Sequence, residues 1–276
     1  MRIIISPAKK MNVDTDTLPA LGIPVFLKDT ERIMDWMKAL SYREAKALWG
    51  CNDKLAEQNY RRFQEMDLHK NGTPAILSYE GIQYQYMAPA VFEEGMLAYV
   101  QEHLRILSGF YGVLKPMDGV TPYRLEMQAK AGIDGKKDLY DYWGKKLYDE
   151  VTDGDHVIIN LASKEYAQCV EPYLTAEDTY ITCIFGETAG ENFSGRDLPE
   201  KPLRKECGRA PVKIVQKGTY AKMARGEMVR FLAERGAERP EIMKDFDRLG
   251  YLFLEELSSP TKYVFCRNLS KEGIFK

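Results

Sequence analysis

Short runs of β-branched residues alternate along this chain with longer stretches of helical periodicity. Runs of three to six mostly apolar residues predict buried strands, and the spacing of three to four residues elsewhere predicts amphipathic helices. We therefore predict an α/β or mixed α+β fold, built as a single compact domain over residues 1–276, with a mixed sheet and surrounding helices. The predicted strands lie at 3–5, 75–79, 157–161, 180–185, 213–215 and 263–266.

Three parts of the chain carry the helical pattern. Residues 30–68 read as successive helices, with Ser41 as an N-cap and Glu44 three residues on, the spacing of a capping box. One apolar stripe runs along 96–107, and a further helix is predicted at 219–235. Ser163 lies where a predicted strand passes into a helix, and the free amides of such a junction could hold an anion.

The stretch at 104–118 contains Gly109 and Gly112 on either side of an aromatic pair. Glycine accepts positive φ and allows another backbone to approach closely. Because an apolar stripe at helical spacing leads into the glycines and a second apolar run follows them, we predict a helix-hairpin-helix element that binds nucleic-acid phosphates. A packing turn between ordinary elements is the alternative, since Gly-x-x-Gly alone is a weak motif.

Composition limits the class of protein. The net charge is −2, so contact with nucleic acid requires a local basic patch. Five dispersed cysteines and three distant histidines give no zinc spacing, and their number fits reduced thiols. No stretch approaches the length of a membrane span. We expect a cytoplasmic protein with no membrane partner, no cofactor and no metal site.

The segment 201–235 is the most basic part of the chain. It carries ten basic residues against three acidic ones, which favours a surface facing a polyanion. A solvated helix face beside a basic loop explains the same excess equally well. Lys222 and Arg225 lie three apart and so share a helix face, and Gly226 would let a ligand or a neighbouring backbone come close.

Candidate chemistry is present without a recognised catalytic motif. Charged residues could act in acid–base or nucleophilic chemistry, but structural salt bridges explain them as well. An ion pair between Arg124 and Glu126 is one such case. Enzymatic activity is therefore left open. The candidate carboxylates are Asp53, Asp118 and Glu126, and the candidate nucleophiles are Lys9, Lys54 and Lys115.

Seven strings in this chain resemble the YaaA peroxide-stress family, and they occur in the family's order over nearly the whole length. The resemblance implies a single-domain α/β fold with a positively charged cleft and a helix-hairpin-helix. It also implies DNA binding and a role against hydrogen peroxide, tied to lower free intracellular iron. The strings are SPAK at 6–9, DKLA at 53–56, LSGFYGVLKP at 107–116, PYRLEM at 122–127, LYDYWG at 139–144, NLASKEY at 160–166 and KMARG at 222–226.

On the matching positions, the resemblance implies a binding site for DNA through its phosphate backbone, without sequence specificity, in a protein that we expect to be monomeric. Residues 186–211 are expected to form a long hairpin or loop insertion. The implied nucleic-acid contacts are Lys9, Lys54, Arg105, Ser108, Gly109, Tyr111, Gly112, Lys115, Arg124, Lys222 and Arg225.

Two rival functions remain open at this point. One is an enzyme that uses the same cleft on a nucleic acid, a nucleotide or a small phosphorylated substrate. Convergence of the charged candidates in one pocket, with a shifted pKa, would favour it. The other is direct iron handling, which the dispersed histidines and cysteines support poorly.

Overall fold

The computed structural model describes residues 1–14, 16–70, 72–189 and 213–267. Its centre is an eight-stranded sheet with the order β11-β12-β9-β8-β1-β5-β6, and β10 pairs with β9. Two small antiparallel pairs, β2 with β4 and β3 with β7, lie outside it. The strands are β1 (Arg2–Ile5), β2 (Lys10–Met11), β3 (Thr73–Pro74), β4 (Tyr79–Glu80), β5 (Leu104–Ser108), β6 (Gly112–Leu114), β7 (Gly119–Val120), β8 (Val157–Asn160), β9 (Thr179–Ala189), β10 (Lys213–Val215), β11 (Tyr251–Phe253) and β12 (Lys262–Arg267).

Helices surround this sheet. Five parallel strands form its centre, and antiparallel strands stand at its margins, so the predicted mixed sheet and fold class are confirmed. Within the described ranges, no helix is long and apolar enough to cross a membrane. The helices are α1 (Leu27–Ala39), α2 (Tyr42–Trp49), α3 (Asp53–Gln64), α4 (Ala75–Ser78), α5 (Ile82–Met87), α6 (Glu94–His103), α7 (Leu139–Trp143), α8 (Lys146–Val151), α9 (Lys164–Ala167) and α10 (Gly218–Glu234).

The central strands are buried on both faces, which is why they read as continuous apolar runs. Ile3, Ile4 and Ile5 in β1 are fully inaccessible to solvent. All five residues of β5 are buried, and so are the last three of β8. The core of the molecule therefore lies along both sides of β1, β5 and β8.

Local signals set several helix ends and one helix contact. The Ser41 hydroxyl and the Glu44 carboxylate form the predicted capping box at the start of α2. Helix α10 lies against α5, and a Cβ atom added to Gly226 would stand 2.1 Å from the carbonyl oxygen of Gln83. The predicted close approach at Gly226 is thus confirmed, and the approaching group is the protein's own backbone.

The predicted helix-hairpin-helix is wrong, because the chain turns from helix to strand at its centre. Helix α6 ends at His103, and residues 104–108 continue as β5. Strand β6 then pairs antiparallel with β5, with Ser108 opposite Gly112. Leu104 and Leu107 happen to extend the apolar spacing of α6, and this coincidence conceals a strand that is buried beside β1.

Both glycines of this β-hairpin accommodate neighbouring parts of the same chain. A Cβ on Gly109 would lie 2.7 Å from the carbonyl oxygen of Leu125. Gly112 has φ +77°, and a Cβ there would meet the side chains of Phe26, Trp143 and Leu147. The hairpin is therefore a packing element, which was the alternative interpretation of the Gly-x-x-Gly sequence.

Two other expectations need comment. The apolar run at 75–79 is largely the short helix α4, so the predicted strand is wrong there. Of the expected insertion at 186–211, residues 186–189 belong to β9, and the remainder lies outside the described residues. Strand β9 ends at Ala189, which pairs antiparallel with Lys213 at the start of β10.

Candidate functional site

A cavity opens at the carboxyl ends of β1 and β8. Both neighbours of β1 run parallel to it, β5 on one side and β8 on the other. The chain that leaves β1 returns to the sheet as β5, whereas the chain that leaves β8 returns as β9 on the opposite side. The two connections diverge there and leave a crevice, the topological switch point at which open α/β sheets bind ligands.

We call this cavity the cleft. Its volume is about 510 Å³, within the range of sites that hold small molecules or single phosphorylated groups. Five cationic side chains and three carboxylates line it. The lining residues are Ser6, Pro7, Ala8, Lys9, Lys10, Glu80, Gly81, Ile82, Gln83, Tyr84, Tyr123, Arg124, Leu125, Glu126, Ser163, Glu165, Tyr166, Lys222 and Arg225.

Two serines join the strand ends at the cleft. The Ser163 amide donates to the Ser6 hydroxyl at 2.8 Å, and the two hydroxyls lie 3.1 Å apart. The Tyr84 hydroxyl donates to the Ser6 carbonyl oxygen at 3.0 Å and so ties α5 to the end of β1. The strand ends are therefore fixed relative to each other.

A cluster of charged groups forms one wall. Glu126 accepts from Lys9 at 2.8 Å and from Arg124 at 3.3 Å, so the predicted Arg124–Glu126 ion pair is present. Burial raises the pKa of the Glu165 carboxyl; the Gln128 amide lowers it, and the nearby Glu126 carboxylate raises it. A carboxylate paired with two cations, beside a second carboxyl whose pKa is raised by burial, is an arrangement suited to acid–base chemistry.

The opposite wall is cationic and lacks internal partners. Among the described residues, neither Lys222 nor Arg225 on α10 has a carboxylate within ion-pair distance. The Nε of Arg225 is shielded from solvent and has no acceptor, and burial lowers the pKa of this guanidinium. The side-chain nitrogen of Gln83, on the facing helix α5, is likewise buried and unpaired.

Four of the sequence-predicted contacts line the cleft: Lys9, Arg124, Lys222 and Arg225. The other cations lie elsewhere. Lys54 lines a separate depression on α3 together with Arg61 and Arg62, and Lys115 is exposed after β6. Arg105 is 3% exposed and donates to the carbonyl oxygens of its own chain.

The hairpin residues do not face the cleft. Ser108 and Tyr111 are almost fully buried, and Gly109 and Gly112 are buried with them, so a duplex has no access to their amides. The Ser108 hydroxyl instead accepts from the Tyr111 amide at 2.8 Å and lies 2.6 Å from the Tyr123 hydroxyl. Their role is to support the segment that carries Arg124 and Glu126.

The remaining carboxylate candidates are structural. The exposed Asp53 forms an ion pair with Lys46 at 2.5 Å. Asp118 is 5% exposed and accepts from the Lys115 amide at 2.8 Å, and burial raises its pKa to about 6. Over the described ranges, no group of three or more His, Cys, Asp or Glu side chains could hold a metal ion.

Carboxylates pair with part of the basic charge described at 213–235. Lys217 pairs with Glu187 at 2.7 Å, and Arg230 pairs with Glu234 at 2.8 Å. Residues 201–212 lie outside the described part. Sequence reasoning also missed Gln83, which lies in none of the quoted strings, and Glu165, which lies in the NLASKEY string but carries no signal that separates it from its neighbours.

Comparison with known proteins places the chain among proteins of similar length. A family model described as "Peroxide stress protein YaaA" matches residues 1–204 and 205–257. A "UPF0246 protein" of Agathobacter rectalis is 56% identical over 98% of this chain and all of its own length. Proteins of the same name in Lachnoclostridium phytofermentans and Pediococcus pentosaceus are 51% and 50% identical over 98% and 97% of this chain, and over 98% of their own lengths. This chain belongs to the YaaA peroxide stress protein family, and that membership indicates a role in peroxide stress.

Proposed function

We propose that this protein acts in peroxide stress by binding DNA without sequence specificity, with the phosphate backbone lying across the cationic rim of the cleft. The observation that carries the proposal is the convergence of cations from separate chain segments on one opening. Lys9 follows β1, and Lys222 lies on α10, yet both stand at the same cavity. Backbone phosphates are the sequence-independent targets of such cations.

The rim is formed by Lys9 and Lys222 at the opening of the cleft, and it suits a polyanion because both lysines are exposed. The Lys9 side chain is 64% exposed, although it contacts Glu126, and Lys222 is exposed without a described carboxylate partner. Cations at an opening attract phosphate and release counterions when they bind it. The lower free iron that the resemblance implies stays a prediction, and iron measured in cells that lack the protein would check it.

A salt titration tests the proposal directly. A labelled duplex with 5′-hydroxyl ends is titrated with the protein between about 50 and 200 mM salt, and affinity should fall steeply as salt rises. The double variant Lys9→Ala with Lys222→Ala should bind at least about tenfold more weakly. Its plot of log affinity against log salt should lose about two units of slope, close to one for each phosphate contact.

The chain offers a matched control for this experiment. Lys54→Ala with Lys115→Ala removes the same charge from two exposed lysines outside the cleft, and its binding should equal that of the wild type. Equal losses in the two double variants would show only a general charge effect. That result, or a wild-type affinity that ignores salt, would end the proposal.

A second function is favoured by the carboxylates of the cleft. Glu126 and Glu165 stand beside Lys9 in the same cavity, and the pKa of Glu165 is raised by burial. These groups could transfer protons in an enzyme acting on a nucleic acid, a nucleotide or a small phosphorylated substrate. Incubation of such substrates with wild type and Glu165→Gln, followed by product analysis, tests this. Turnover that is absent from both proteins would exclude it.

A further inference from the structure

We propose that Arg225 and Gln83 form a recessed binding site for a terminal phosphate, a phosphomonoester dianion, inside the cleft. This inference deepens the proposed function: the rim contacts phosphodiesters of the DNA backbone, and the recess holds a phosphate that ends a chain or belongs to a small molecule. The first observation is the missing partner. The Nε of Arg124 is shielded and unpaired as well, but that guanidinium pairs with Glu126, whereas no described hydrogen bond or ion pair holds Arg225. A buried guanidinium nitrogen without an acceptor is costly unless a ligand supplies the anion.

The second observation is that the neighbouring donor is unpaired as well. Gln83 is 7% exposed, and its side-chain nitrogen has no acceptor among the described residues. Both residues line the cleft. Two unpaired buried donors on facing helices, with Lys222 lining the same cavity, are complementary to an oxyanion that carries several acceptor atoms.

The helix contact makes this wall rigid. The carbonyl oxygen of Gln83 would stand 2.1 Å from a Cβ at position 226, so α5 and α10 touch through backbone beside Arg225. Any larger residue at 226 would separate the two helices. The backbones that carry Gln83 and Arg225 are therefore held together before a ligand arrives, which reduces the entropy lost on binding.

The other three cations of the cleft already have carboxylate partners. Lys9 and Arg124 share the carboxylate of Glu126, and Lys10 pairs with Glu80 at 2.7 Å. Only Lys222 and Arg225, of the five cations lining the cleft, lack a described carboxylate partner. An anion in this cavity would therefore settle against α10 rather than against the segment of Arg124.

The position of Arg225 selects the kind of phosphate. A phosphodiester within a duplex carries a sugar on each side and stays at the duplex surface, where the exposed lysines of the rim meet it. A terminal phosphate has one substituent and can enter a recess. It also carries up to two negative charges near neutral pH, against one for a diester.

The test compares oligonucleotides that differ only at one end. A labelled strand with a 5′-phosphate and the same strand with a 5′-hydroxyl are titrated against wild type by fluorescence anisotropy. We expect at least about a tenfold preference for the phosphorylated strand, and Arg225→Met should abolish the preference. Arg225→Lys should keep part of it, because it retains the charge and loses the planar fork of donors.

A second variant keeps the test valid if Arg225→Met fails to fold. Gln83→Glu is almost isosteric and places a carboxylate beside the guanidinium, so it should repel phosphate and remove the same preference. Lys54→Met is the matched control in the separate depression on α3, and it should leave the preference unchanged. Thermal unfolding of each variant establishes that it is folded.

Two further probes distinguish the sources of such a phosphate. Inorganic phosphate and a nucleoside monophosphate are titrated by calorimetry and used as competitors. A monophosphate that binds as tightly as the phosphorylated strand indicates a small-molecule ligand, and a strand that binds more tightly indicates a nucleic-acid end. Both results support the site. Equal binding of the two strands, together with no binding of either small probe, overturns it while leaving the rim proposal standing.

Discussion

The β-hairpin at 104–114 and the cleft behave in opposite ways, although each contains residues implied as phosphate contacts. The hairpin is buried and its hydrogen bonds are made within the chain, as at Ser108. The cleft is open, and no hydrogen bond or ion pair within the described part of the chain holds its Arg225. The Nε of Arg105 in the hairpin is unpaired as well, but the same guanidinium donates through Nη1 to three carbonyl oxygens of the chain. The contrast therefore lies in whether the protein itself holds the side chain, and it supports scaffolding for the hairpin and the proposed binding for the cleft.

The two regions are nevertheless connected. The backbone at Leu125 and Glu126 passes directly over Gly109, closer than a side chain would allow. That same segment brings Arg124 and Glu126 to the cleft. The glycine therefore sets the position of one cleft wall, and this is the physical link between the sequence motif and the candidate site.

The largest expected effect comes from Gly109→Ala. Its new Cβ would stand 2.7 Å from the Leu125 carbonyl oxygen, and backbone cannot swing aside as a side chain can, so unfolding free energy should fall by about 3 kcal/mol. Urea denaturation measures this. Gly95→Ala on α6 meets nothing within 4 Å and should instead add under about 1 kcal/mol. Similar small changes in both variants would contradict the packing role of the hairpin.

This comparison also shows how far the sequence can predict the molecule. The strands β1, β8, β9 and β12 and the helix α10 were predictable, because burial on both faces or helical spacing appears directly in the residue order. The end of α6 at His103 was not predictable, because Leu104 and Leu107 fit both a helix and a strand until the pairing of β5 with β1 is known.

The candidate site was predictable in part. Lys9, Arg124, Lys222 and Arg225 were identified from strings that resemble the family, and the structure brings them to one cavity. Gln83 was not predictable, because an unpaired buried amide is recognised from its surroundings in the folded protein and not from its neighbours in sequence. Lys54 matched the family equally well and lies elsewhere, because a string does not show which way a helix faces.

The second prediction concerns Asp118, a structural carboxyl beside the hairpin, and not the carboxyls that line the cleft. Burial raises the pKa of Asp118 to about 6, above its ordinary value of 3.8. Between these values the folded protein binds more protons than the unfolded chain, so this group's contribution to stability is full below about pH 4 and is lost as pH rises through 6. Asp118→Asn keeps an acceptor for the Lys115 amide and removes this dependence.

Urea denaturation at several pH values from 4 to 7 measures the difference. The stability of wild type relative to Asp118→Asn should fall by about 2 kcal/mol over that range, because two pKa units correspond to nearly 3 kcal/mol before solvent screening. Asp53→Asn, which changes an exposed carboxylate on α3, serves as the control and should show no such fall with rising pH. A constant difference between wild type and Asp118→Asn would contradict the raised pKa.

The smallest expected effect on stability has the opposite sign and comes from Arg225→Met. Methionine fills a similar volume without a charge, so removing the unpaired guanidinium should raise unfolding free energy by about 1 kcal/mol in the absence of ligand. Thermal unfolding without and with inorganic phosphate measures it: phosphate should stabilise wild type and leave the variant unchanged. A loss of several kcal/mol, like that expected for Gly109→Ala, would place Arg225 with the hairpin as part of the scaffold. A side chain that lowers the free energy of unfolding when the site is empty, and raises it when phosphate is bound, belongs to a binding site.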